Sequence, residues 1–172
     1  LFFTTLAPYK GLEILLSAYS QLLPRYPELR LVIAGAEHPR FPGYRQALQR
    51  QFAHLPGVDW RRQVSEEQLR GLFARAQVVV LPYLASTGSS SVIYQAAMWG
   101  RPVAVSDLPE IRTVAEEGGL QLELFETRDI RQLIQALQTL LDSPECRRAP
   151  GEPKLQAPLR PPPGGPRPAP PH

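Results

Sequence analysis

Leu81-Pro-Tyr-Leu-Ala-Ser-Thr-Gly-Ser-Ser-Ser-Val-Ile-Tyr-Gln-Ala-Ala-Met-Trp-Gly-Arg-Pro-Val103 carries the reading of the fold. The apolar run Val78-Val-Val-Leu81 enters it as a strand covered on both faces and stops at Pro82. Small hydroxyl residues from Ser86 to Ser91, with Gly88 among them, make a loop. An apolar helix follows, closed by Gly100, and Pro102 opens the next strand. Two uses of the serines stand side by side. Ser89, Ser90 and Ser91 can cap the helix, which is what serine does at helix starts. The same loop, with Gly88, offers hydroxyl and backbone N–H groups at a helix N-terminus, where an anion such as a phosphate binds.

Working outward, strands and helices alternate. Leu1 to Leu6 reads as a first strand, and Ala7-Pro-Tyr-Lys-Gly11 as a turn. Leu12, Leu15, Leu16, Tyr19, Leu22 and Leu23 recur at helical spacing until Pro24. Leu29 to Ala34 is a second strand, ended by Gly35. Tyr44, Leu48 and Phe52 mark a helix, and Val58 to Trp60 a short third strand. Ser65 with Gln68 forms a capping-box signature ahead of Leu69, Leu72 and Phe73. After the opening stretch come a fifth strand, Val103 to Val105, and a helix from Pro109 to Glu117. A sixth strand follows, Leu120 to Leu124, and a final helix introduced by Thr127 and Asp129. Ile130, Leu133, Ile134, Leu137 and Leu141 give that helix its apolar face.

Six strands separated by helices specify an α/β fold: a doubly wound, Rossmann-like parallel sheet with right-handed crossovers. The expected strand order is 3-2-1-4-5-6, with a ligand outside the carboxyl ends of strands 1 and 4. That topology brings Lys10 and the serine loop to one crevice.

Composition narrows the function classes. Residues 1–149 hold 16 Lys and Arg against 15 Asp and Glu, so the folded part has no basic footprint for nucleic acid. No apolar stretch is long enough to span a membrane, and the start does not resemble a signal peptide. Cys146 is the one cysteine, and His38, His54 and His172 lack ligand spacing, so no metal site is expected. These features fit a cytoplasmic location. Lys10 is the one lysine among the cations of residues 1–149, which marks it for a role arginine fills poorly. Ten of the 20 prolines fall in residues 150–172. The chain therefore divides into a domain over 1–145 and a proline-rich, disordered tail over 146–172.

The ordered set of motifs resembles the GT-B glycosyltransferases of family 4, group 1. It comprises Lys10-Gly11 before an apolar helix, Leu31-Val-Ile-Ala-Gly35, Val64-Ser-Glu-Glu-Gln-Leu69, Val78-Val-Val-Leu-Pro82 and Gln95-Ala-Ala-Met-Trp-Gly-Arg-Pro-Val103. Asp107-Leu-Pro-Glu110 and Glu116-Glu-Gly118 continue it, so the resemblance covers about residues 1–145. It implies a single domain of the GT-B type, the C-terminal half that binds a nucleoside diphosphate sugar as donor substrate. No other cofactor is implied. By this resemblance Lys10 binds the donor diphosphate, helped by Gly11 and by the loop Gly88, Ser89, Ser90 and Ser91. Thr5 stands where the family usually has an arginine. Thr87 and Gln95 stand where it commonly has two glutamates, one near the anomeric carbon and one on the ribose. Thr87 carries no charge there, and Gln95 accepts hydrogen bonds only as a neutral amide. Tyr83 is expected to wall the pocket, and Arg61, Arg62 and Gln63 to approach the base.

The implied reaction is retaining, metal-independent glycosyl transfer to an acceptor, with Lys10 and Thr87 as the catalytic candidates. The implied partner is an N-terminal GT-B domain that binds the acceptor. Without it the isolated chain is expected to be inactive, and a full-length protein leaves room for peripheral membrane contact. The neutral residues at positions 5, 87 and 95 equally suit a non-catalytic or decayed nucleotide-sugar-binding domain.

Overall fold

The computed structural model describes residues 1–85 and 90–143. The tail over 146–172, and with it the expected domain boundary, lies outside the described residues, as do Thr87, Gly88 and Ser89. Six parallel strands alternate with helices. They are β1 (Phe2–Phe3), β2 (Leu31–Ala34), β3 (Val58–Arg61), β4 (Val79–Leu81), β5 (Val103–Ser106) and β6 (Glu123–Phe125). The helices are α1 (Leu12–Leu22), α2 (Tyr44–Gln51), α3 (Glu66–Arg75), α4 (Ser90–Met98), α5 (Pro109–Gly118) and α6 (Ile130–Asp142), with a single 3-10 turn at Pro8–Lys10.

The strands form two three-stranded sheets, ordered β1-β2-β3 and β4-β5-β6, where one six-stranded sheet was expected. The two meet at Leu1, whose amino group donates to Val78 O (2.7 Å) and whose carbonyl accepts from Val80 N (2.9 Å). The first strand is also shorter than its apolar run. Its ladder breaks after Phe3: beyond the bond Thr4 N to Ala34 O (3.1 Å) it resumes only as an isolated bridge between Leu6 and Glu37, through Leu6 N to Ala36 O (2.8 Å) and His38 N to Leu6 O (2.9 Å). The cause is Gly35, at φ +137°, where an added Cβ would lie 1.9 Å from Thr4 O. The two chains pinch together there and leave regular pleating. The sixth strand begins three residues later than its periodicity indicates. Leu120 N–H is taken by Ala115 O (2.9 Å) to close α5, so the chain cannot pair until Glu123.

Period-2 alternation distributes the strands' side chains over two cores. Phe2, Ile33, Val78, Val80 and Ala104 pack with Leu12, Leu16 and Tyr19 of α1 and Leu133 and Leu137 of α6. Val79, Leu81, Val103 and Val105 pack with Phe73 of α3 and Ile93 and Ala96 of α4. Phe3 turns to this second core and meets Phe73 edge-on, 6.1 Å between centroids. Strands buried on both faces are the reason the sequence shows continuous apolar runs there. The helix signals also place correctly. Ser65 and Gln68 form the capping box, and Asp129 caps α6 by accepting from Arg131 N and Gln132 N.

Gly35→Ala combines an unfavourable φ with a backbone clash, so it should cost about 3 kcal/mol or more. Removing the α6 cap by Asp129→Ala should cost about 1 kcal/mol. Urea unfolding of both variants checks the ranking, and equal midpoints would contradict it.

Candidate functional site

The carboxyl ends of β1, β2 and β3 open into a cleft of about 1060 Å³. Thr4 and Thr5 enter it after β1, Gly35, Ala36 and His38 after β2, and Arg62, Gln63 and Val64 after β3. Ser65 and Gln68 line it from the start of α3, Ser91 and Val92 from the first turn of α4, and Tyr9 and Lys10 from the turn before α1. Parallel topology makes this convergence: every βα connection delivers a helix N-terminus to the same edge. A smaller, more enclosed cavity of about 440 Å³ lies at the opposite ends of the strands, among Leu15, Leu22, Leu31 and Val78. It lacks that convergence of helix starts, so the cleft is the candidate site.

Lys10 reaches the cleft because the turn carrying it is fastened to the exit of β4. Gly11 sits at φ +71°, and a Cβ there would fall 1.8 Å from Pro82 O. Only glycine allows α1 to start so close to that backbone. Two residues along, Leu84 N donates to Tyr9 O (2.8 Å). The Lys10 side chain is 5% exposed. Its ammonium lies 4.2 Å from the ring centroid of Tyr83 and 5.8 Å from that of Tyr9. Burial pushes its pKa down from 10.5 to about 8, because desolvation disfavours the charged form. Lys10 is still mostly protonated at neutral pH.

The two helix starts at the cleft differ in charge. Glu66 and Glu67 occupy the first turn of α3, and Ser65 and Gln68 are engaged in the cap. The first turn of α4 carries no acidic residue. Positive potential from backbone N–H groups is therefore opposed at α3 and unopposed at α4, whose first turn lines the same cleft as Lys10. On the β2 side, the buried Arg45 donates through Nη2 to Gly35 O, and its backbone N–H donates to Glu37 Oε1 (2.8 Å). Its guanidinium stands 5.9 Å from the Trp60 ring. Burial lowers the Arg45 pKa, and Glu37 draws it back up.

Of the residues singled out from sequence, Thr5, Lys10 and Ser91 line the cleft. Gly11 is buried at the start of α1. Tyr83 is 1% exposed, outside the lining, and lies under the Lys10 ammonium. Gln95, one turn beyond Ser91, is partly buried and also outside the lining. Ser90 begins α4, while Thr87, Gly88 and Ser89 lie outside the described residues. Arg62 and Gln63 reach the cleft, whereas Arg61 is engaged with Asp59 (2.8 Å). Asp107 does not cap α5. Leu108 holds that position, and the Asp107 carboxylate is gripped by Arg112, whose hydrogen bond holds its pKa down. Ser106 is fully buried. Arg45 carried no signal in the sequence, being one arginine among many. Only its reach to the Gly35 carbonyl distinguishes it.

Among the described residues, no group of three His, Cys, Asp or Glu side chains is placed to hold a metal ion. In the same residues no helix is long and apolar enough to cross a membrane.

Comparison with known proteins agrees with this architecture. The chain is 34% identical over 156 residues to a D-inositol 3-phosphate glycosyltransferase of Streptomyces coelicolor, covering 84% of this chain and 33% of that protein. It is 27% identical over 141 residues to a phosphatidyl-myo-inositol mannosyltransferase of Mycolicibacterium smegmatis, covering 81% and 35%. The chain thus spans about a third of the length of the curated relatives it matches. The crystal structure of Anabaena HepE with UDP and glucose superposes with a TM-score of 0.70 at 21% identity, over 84% of this chain and 39% of that one. Residues 1–143 match the family described as "Glycosyl transferases group 1", and the chain belongs to that family, its fold that of the GT-B glycosyltransferases.

Proposed function

We propose that this chain is the donor-binding domain of a glycosyltransferase that takes its sugar from a nucleoside diphosphate. The observation that carries the reading is Lys10. A buried, partly desolvated ammonium lines the same cleft as the start of α4, which is free of acidic residues. Such a cation binds a diphosphate strongly, because few water contacts must be given up.

In this reading the ammonium of Lys10 and the N–H groups at the start of α4 receive the diphosphate. The hydroxyls of Thr5 and Ser91 add neutral hydrogen bonds. The residues after β3, Arg62 to Val64, flank the base. When the glycosyl bond breaks, negative charge grows on the leaving diphosphate. Fixed donors aimed at that charge lower the barrier without a metal. Retention at the anomeric carbon and an acceptor site on a further domain belong to the same proposal. The alternative, a domain that holds the nucleotide-sugar without transfer, draws on Gln95, which is neutral and stands outside the cleft wall. The two separate when the chain is assayed together with an acceptor-binding domain: transfer of sugar supports the first, and binding without transfer the second.

The charge on Lys10 makes binding testable. UDP and GDP, with their sugars, titrated by calorimetry should bind the wild type. Lys10→Met should weaken binding by about tenfold to a hundredfold, the worth of a charge-assisted contact. Equal affinity in the two proteins, or none in the wild type, would sink the reading.

Stability should move the other way. The folded pKa of about 8 lies below the unfolded 10.5, so below pH 8 the charged form costs the fold up to about 3 kcal/mol. Stability should rise between pH 8 and 10.5, where only the unfolded chain still holds the proton. Lys10→Met should therefore be the more stable protein at pH 7, with the gap closing by about pH 10, as read by urea unfolding at both values.

Diphosphate beside the ammonium should restore the proton. Binding at pH 8 to 9 should take up protons and weaken as pH rises. Calorimetry in buffers of different ionisation enthalpy measures this uptake directly, and buffer-independent enthalpies at pH 8.5 would refute it.

A further inference from the structure

We infer that Tyr83 is the positioning residue for Lys10: its ring face holds the ammonium in the cleft lining, ready for the diphosphate. The inference rests on the donor-site reading above and adds a residue to it. Tyr83 is 1% exposed and stands outside the cleft lining, so it has little surface with which to meet a ligand. Its ring centroid is 4.2 Å from Lys10 Nζ, well inside the range in which an aromatic face attracts a cation.

The ring is itself fixed from both sides. Pro82, the residue before it, is pressed against Gly11, and Leu84, the residue after it, donates to Tyr9 O at 2.8 Å. Both fastenings join the β4 exit to the turn that carries Lys10. Backbone and ring therefore set the position of the ammonium together.

The chemistry of the support matters. A carboxylate under Lys10 would hold it more strongly, but it would add negative charge where the diphosphate has to sit. A ring face has no formal charge. It offsets part of the desolvation of the ammonium of Lys10, a residue that lines the cleft. It also limits the side-chain entropy lost on binding, since a lysine already held in one place has less freedom to lose.

The test uses the full chain with UDP, GDP and uridine as probes. Tyr83→Phe keeps the ring and should bind the nucleotide preferred by the wild type within about twofold of wild type. Tyr83→Leu removes the ring and should weaken that binding by about tenfold, with uridine binding unchanged. In a Lys10→Met background, Tyr83→Leu should produce no further loss. A structural defect would weaken uridine as well and would persist in that background, which overturns the proposal.

A second measurement needs no disruptive variant. Lys10 and Lys154 are the two lysines of the chain, so an isotope-labelled lysine spectrum contains two side-chain ε signals. In the free protein the Lys10 ε protons should lie upfield of those of Lys154, shifted by the ring beneath them, and Tyr83→Phe should keep that shift. Coincident signals would overturn the proposal even if the Leu variant does not fold. A wild type that binds neither UDP nor GDP removes the donor-site reading and this proposal together. Nucleotide binding that depends on Lys10 but is indifferent to Tyr83→Leu removes this proposal alone.

Discussion

The close approach of Gly11 to the Pro82 carbonyl is the constraint on which the site depends. Without a Cβ at position 11, the first helix starts directly against the exit of β4, and the bond from Leu84 N to Tyr9 O locks the two segments. Those paired residues are 71 positions apart for Gly11 and Pro82 and 75 for Tyr9 and Leu84. Their apposition brings the one lysine of the domain into the same cleft as the start of α4. It also places the joint where β1 and β4 adjoin, so the hydrogen bonds through Leu1 and the packing of Leu12 support it from below. Few hydrogen bonds cross between the two sheets at that point, and the Gly11 joint adds a second fastening at the opposite end of the same strands.

Burial on both faces explains why the polar chemistry gathers at one edge. β2, β4 and β5 are apolar along their length except for Ser106 at the end of β5. Polar function is then confined to the strand ends and the helix starts. Within that edge, charge selects the position. The glutamates on the first turn of α3 repel an anion, while the start of α4 has no such charge and the Lys10 ammonium stands nearby.

Much of this was legible in the residues. The apolar runs Leu31 to Ala34 and Val78 to Leu81, the Ser65–Gln68 cap and the periodic face of α6 gave element order, class and family resemblance. Lys10 stood out because arginine had replaced lysine everywhere else in the folded part. Ends of strands were legible only in part. The truncation of β1 follows from a contact between Gly35 and Thr4, and the delay of β6 from a bond between Leu120 and Ala115. Neither leaves a trace in local propensity. The role of Tyr83 was hidden for a related reason: a tyrosine after a strand reads as a pocket wall, and only the packing of the next segment shows that its ring is covered. Asp107 precedes α5 without capping it, because an arginine five residues on takes its carboxylate.

The two buried cations of the domain divide the work according to their chemistry. Arg45 donates through Nη2 to the carbonyl of Gly35, a residue of the cleft lining, and its guanidinium lies 5.9 Å from the Trp60 ring. Its charge persists through burial because arginine does not give up its proton in the accessible pH range. Lys10 is a compact charge on a flexible stem, and burial does bring its deprotonation within reach. An arginine at position 10 would keep its charge across that pH range. A lysine in place of Arg45 would lose the planar guanidinium that lies over the Trp60 ring.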